Sequence, residues 1–214
     1  MQVRWKLQQL LWILFLLFWM LVALLLAWGS IRHFAPWRAP SVFLQSRQAH
    51  YSYFLPALYL HIFSCPLILL LGSWSLWPPL RTYSARAHRF LGKGYVLLIL
   101  LLGAPSGFVM AFLALGGGAG VLCFLILSLL WAWTTWHAWR AAIQGNWNQH
   151  QAFMWRSFAL GTSAFFLRFF SFLGAYYGEW RGPAVYVLFA WASWLFPLTI
   201  VELYLRYQAP LSSR

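Results

Sequence analysis

Four histidines, three arginines and a tyrosine stand out as side chains with chemistry to offer inside an apolar chain. They are His61, His88, His137 and His150, with Arg89, Arg156, Arg168 and Tyr95. A neutral imidazole ligates haem iron, relays protons or hydrogen-bonds a quinone. Guanidinium groups offset an anionic ligand such as a haem propionate or an acidic substrate. Carboxylates are almost missing: Glu179 and Glu202 are the two acids, and there is no aspartate. Paired-carboxylate catalysis and an oxygen-rich calcium site are thereby disfavoured. Cys65 and Cys123 sit apart in apolar runs and form neither a disulfide framework nor a Cys-x-x-Cys metal site. No catalytic residue is assigned at this stage, and whether the protein is an enzyme is left open.

The elements that must carry these groups are membrane helices. Of the 214 residues, 63% are hydrophobic, 21% aromatic and 8% charged, with a mean hydropathy of +0.68. Soluble domains carry about 25% charged residues, so the solvent implied here is lipid. The patterning predicts an all-α, polytopic membrane bundle forming a single domain over residues 1–214. Six transmembrane helices are expected at about 10–28, 51–71, 90–115, 121–141, 150–173 and 184–205. The first apolar run is too long for a cleaved signal core and reads as a retained anchor.

The net charge of +13 suits membrane headgroups rather than nucleic acid, because the basic residues lie between the apolar runs. Placing the N-terminus inside puts Arg4, Lys6, Arg81, Arg86, Arg89, Lys93, Arg140, Arg156, Arg206 and Arg214 on the inner side. Arg32, Arg38, Arg47 and Arg181 fall outside, with Arg168 near them. That asymmetry predicts both termini in the cytoplasm. Glu202 and Arg206, at i and i+4, are expected to pair.

Helical periodicity places His150, Ser157, Gly161, Ala164 and Arg168 on one face of helix five. His88, Gly92, Tyr95, Ile99 and Ser106 share a face of helix three by the same arithmetic. His88 and His150 fall at one level, His137 one to two turns deeper, and His61 near mid-membrane between Pro56 and Pro66. The bland alternative is that these are packing seams with capped polar ends.

The leading expectation is a redox protein with b-type haem held by His88 and His150, or with a quinone among helices two to five. His61 with His137 forms a second, less level pair. Arg89, Arg156 or Arg168 would balance the ligand's charge, and Tyr95 would donate a hydrogen bond. A proton-coupled transporter is the alternative, suggested by the prolines of helix two and the Gly103–Gly107 break. A ligand-free accessory subunit of a larger membrane complex is the third.

The blocks Leu60-His61, His88-Arg89 with Gly92 and Tyr95, and His150 with Met154, Arg156-Ser157 and Arg168 resemble a bacterial family of predicted membrane proteins. It is known as domain of unknown function 2306. The likeness spans about Tyr51 to Phe170. Phe153-Met154 stands where the family has Trp-Met, and Leu71-Gly72-Ser73-Trp74 replaces its glycine-proline and Gln-Phe pair. The resemblance implies a helical bundle in the bacterial inner membrane and carries no settled activity.

Overall fold

The computed structural model describes residues 2–31, 42–178 and 180–208. Arg32, Arg38, Glu179 and Arg214, used above for charge and orientation, lie outside them. Among the described residues there is no strand. The order is α1 (Gln2–Ile31), α2 (Val42–Gln45), a 3-10 turn (Gln48–His50), α3 (Tyr51–Leu76), α4 (Pro78–Tyr83) and α5 (Ala85–Leu98). A π-helical segment (Ile99–Gly103) leads to α6 (Ala104–Ala111). Then come α7 (Gly117–Ile143), α8 (Trp147–Gly161), α9 (Ser163–Tyr177) and α10 (Pro183–Gln208). Five stretches are long and apolar enough to cross a membrane, and α8 with α9 makes a sixth when the bent pair is counted as one span. The all-helical, multi-span expectation therefore holds.

Local chemistry explains where the boundaries depart from expectation. The third span begins at Ala85 rather than near residue 90, because Ser84 caps it by accepting from the Ala87 N–H at 3.2 Å. The loop expected after residue 71 is largely helix: α3 continues to Leu76, and Pro78-Pro79 open the short α4. The glycine run also belongs mostly to α7. Gly116 and Gly117, at φ +91° and +63°, make the turn that only glycine adopts without strain.

The fifth span differs most. It bends by 42° between α8 and α9. At the break, the Thr162 hydroxyl bonds to the Ala159 carbonyl at 2.6 Å, competing with the backbone ladder. The continuous face from His150 to Arg168 is thus corrected. Ser157 turns into the packed core at 0% exposure, whereas Gly161, Ala164 and Arg168 border a cavity.

A second interruption faces the first across α7. Pro105 lacks the N–H that α-helical geometry would use, and the π segment ends just before it. Between the two breaks lies the Trp131 indole. A Cβ on Gly103 would come within 3.1 Å of that ring, and one on Gly161 within 3.2 Å. Both glycines make room for one tryptophan, which closes the floor of the cavity.

Candidate functional site

The cavity occupies about 270 Å³ in the half of the bundle nearest Ser30, Arg47 and Tyr186, and it reaches inward to His61, Gly161 and Trp131. Helices α1, α3, α6, α7, α9 and α10 all contribute to it. The hollow is half open rather than enclosed, so a guest can reach it. The walls are mainly Leu, Phe, Met and Ala side chains, with a few polar groups: His61, Cys65, Ser128, Arg47, Arg168 and Tyr186. A mostly apolar hollow with a few fixed polar groups is the usual form of a small-molecule site.

The tautomer of His61 follows from its partners. Its Nδ1 lies 3.2 Å from the Gly103 carbonyl and 3.1 Å from Ser106 Oγ. A carbonyl accepts only, so Nδ1 carries the proton. Ser106 agrees, because its own proton goes to the Leu102 carbonyl at 2.5 Å. His61 Nε2 is then a lone-pair acceptor, with no hydrogen-bond partner among the described residues. The π segment and Pro105 thus do more than break a helix. They present two oxygens that fix a mid-membrane imidazole.

Two guanidinium groups border the same cavity. Arg47 is 6% exposed, donates to the Leu113 carbonyl at 2.8 Å and to Ser46 Oγ at 2.9 Å, and lies 5.5 Å from the Phe54 ring centre. Arg168 donates to the Ala164 carbonyl at 2.9 Å and stands within electrostatic range of His61, Cys65 and Tyr186. Among the described residues, no carboxylate lines the cavity.

The other half of the bundle is closed. Thr135 Oγ1 donates to the Trp131 carbonyl at 2.7 Å, Ser157 donates to Thr135 at 2.7 Å, and Tyr95 donates to Ser157 at 2.9 Å. All three side chains are fully buried. Tyr95, expected to serve a ligand, is therefore committed to this chain. The Trp131 Nε1–H is buried close to the Tyr95 hydroxyl but outside good hydrogen-bond geometry.

Beyond that network lie His88 and His150, within electrostatic range of each other and of Arg81 and Arg89. His150 Nδ1 donates to the Ala138 carbonyl at 2.9 Å, whereas His88 Nδ1 is buried with no partner. The structure brings this expected pair together. It does not join His61 with His137, whose Nδ1 bonds to Trp133 O and whose ring packs on Trp133 and Phe153. Arg156 pairs with Glu202 through two bonds of 2.5 and 3.0 Å. Glu202 thus bonds across to α8 instead of along its own helix to Arg206. Among the described residues no three His, Cys, Asp or Glu side chains converge, so any histidine site here is a pair.

Arg47, Trp131 and Ser106 were not singled out as site residues from the sequence. Arg47 read as one of the outer-side cations, and a tryptophan near a segment end, as Trp131 is, suits the membrane interface as well as a cavity wall. The proline at 105 was the available signal for Ser106.

The family described as predicted membrane protein, DUF2306, matches residues 58–205. The chain belongs to this family. The match extends past the histidine blocks through most of α10, so the Glu202 side of the ion pair falls within it. No curated protein and no solved structure matches the chain.

Proposed function

We propose that this DUF2306 protein binds a small, largely apolar molecule of the quinone class in the cavity bounded by His61 and Arg168. The single observation behind this reading is the 270 Å³ mostly apolar hollow that is lined by an imidazole with an open acceptor nitrogen and by a guanidinium. A quinone head offers oxygens to such groups, and its ring and tail suit the Leu, Phe and Met walls. The excess of basic residues at one set of segment ends supports reading it as a bacterial inner-membrane protein with both termini cytoplasmic. A redox partner in the membrane would exchange electrons with the bound molecule.

Cys65 supplies the test, since it lines the cavity and is partly accessible. In a Cys123→Ser background, a short-chain quinone is expected to slow alkylation of Cys65 by N-ethylmaleimide in a saturable way. Unchanged alkylation at saturating quinone would overturn the reading.

One observation favours a second reading, haem between His88 and His150. His150 Nδ1–H is tied to a carbonyl, which leaves Nε2 as a ligand, and His88 has an unsatisfied buried nitrogen beside it. Arg81 and Arg89 would meet the haem carboxylates. Bound haem would supply one-electron transfer. Reduced-minus-oxidised spectra decide: a b-type signal lost in His88→Ala and His150→Ala supports it, and a colourless protein that takes up no added haem excludes it.

A further inference from the structure

We infer that the cavity selects the reduced, hydroxyl-bearing form of its ligand, and that His61 is the residue that makes the selection. This rests on the proposed quinone-class site and goes on to name the redox form it holds.

The argument runs through hydrogen-bond polarity. His61 Nδ1 faces the Gly103 carbonyl, which cannot donate, and Ser106 Oγ, whose proton is spent on the Leu102 carbonyl. The imidazole is therefore held as the Nδ1–H tautomer. Its remaining nitrogen accepts hydrogen bonds and does not donate them. An oxidised quinone offers carbonyl acceptors alone, so it would set lone pair against lone pair at this nitrogen. A quinol offers an O–H. It donates to Nε2, and its oxygens still accept from other cavity donors such as the Arg168 guanidinium. Flipping the tautomer to suit a quinone would set the Nδ1 lone pair against the Gly103 carbonyl, and Ser106 could turn its hydroxyl to Nδ1 only by giving up the Leu102 and Gly103 carbonyls. Unsatisfied buried acceptors are costly in a low-dielectric interior.

Position supports the same conclusion. A Cβ built on Gly107 would lie 3.4 Å from His61 Cε1, so the glycine keeps one side of the ring open to the cavity. Ser106 and Gly103 act as positioning residues, since they touch the imidazole rather than the ligand.

The test uses the purified full chain in detergent, kept anaerobic, with three probes of one shape. These are duroquinol, duroquinone and the dimethyl ether of duroquinol. Duroquinol is expected to bind about tenfold more tightly than either of the others, the size of one buried hydrogen bond. In His61→Ala that preference should collapse to within about twofold, with ether affinity unchanged, which shows that the fold and cavity survive. Ser106→Ala should narrow the preference only in part, because the Gly103 carbonyl still holds Nδ1–H. Equal binding of all three probes to the unaltered protein overturns the selection and leaves the quinone-class site standing. Binding of none overturns both. A preference that persists in His61→Ala removes His61 from the role.

Discussion

The two halves of this bundle share the same central helix and handle polar groups in opposite ways. Around the Trp131–Ala141 end of α7, the hydroxyls of Tyr95, Ser157 and Thr135 satisfy one another in sequence and end on a backbone carbonyl. Around the Gly120–Ser128 end, His61 keeps an open acceptor, and two arginines border a 270 Å³ hollow. A chain of buried hydroxyls that satisfy one another rigidifies a core, while an open acceptor in a mostly apolar hollow is the form a small-molecule site takes. The difference teaches where to test each role: structural loss in the closed half, and the proposed binding in the other.

Glycines give the largest contrast. A Cβ at Gly72 would lie 2.6 Å from Tyr95 Cε2 and 2.8 Å from Phe158 Cδ2, on rings pinned by their surroundings. Gly72→Ala should therefore destabilise the protein by about 3 kcal/mol, the upper end of overpacking costs. Thermal unfolding in detergent would show it. A loss below about 1 kcal/mol would mean that the packed half is softer than it looks.

The hydroxyl chain provides the next effect. Ser157→Ala removes the acceptor for Tyr95 and the donor to Thr135 in a fully buried place, so a loss of about 2 kcal/mol is expected. Ser128→Ala is the control in the cavity half. Its hydroxyl bonds back to the Leu125 carbonyl of its own helix, and its loss should change stability by less than about 0.5 kcal/mol. Equal losses at the two serines would erase the contrast.

Arg156 and Glu202 join α8 to α10 through a two-point contact that is partly exposed, at 25% and 35%. A double-mutant cycle with Arg156→Gln and Glu202→Gln should return a coupling of about 1 kcal/mol. Adding Arg206→Gln tests whether the i, i+4 neighbour shares the acid. Arg206 lies within electrostatic range of Glu202 without bonding to it, so its coupling should be smaller than that of Arg156.

Much of this arrangement was legible from residue types and much was not. Composition and run length gave the helical membrane class and most of the spans, because lipid demands long apolar helices. The nearness of His88 to His150 followed from their equal depth. The split of the fifth span did not follow, because Thr162 looks ordinary until its hydroxyl is seen on the Ala159 carbonyl. With that bend unseen, Ser157 and Arg168 looked like one face when they serve opposite halves. Glu202 likewise had a visible partner on its own helix, while its actual partner is 46 residues away in sequence. Local spacing reports neighbours along a helix; contacts between helices depend on rotation and bend, which no short pattern specifies.

Gly107 closes the comparison with the smallest expected change in stability. A Cβ there meets His61 at 3.4 Å, an ordinary contact, and the next nearest atoms are 3.7 and 3.9 Å away. Gly107→Ala should hold stability within about 0.5 kcal/mol, or raise it slightly through helix propensity. Gly107→Leu carries the argument further. The larger side chain enters the hollow, fills part of it, and leaves unfolding unchanged or slightly delayed. The same substitution should weaken quinol binding by at least about tenfold, because leucine then occupies the space beside His61. A Gly107→Leu protein as unstable as Gly72→Ala would show that this half is packed like the other. Stability retained together with binding lost is the combination that a ligand cavity predicts and a structural seam does not.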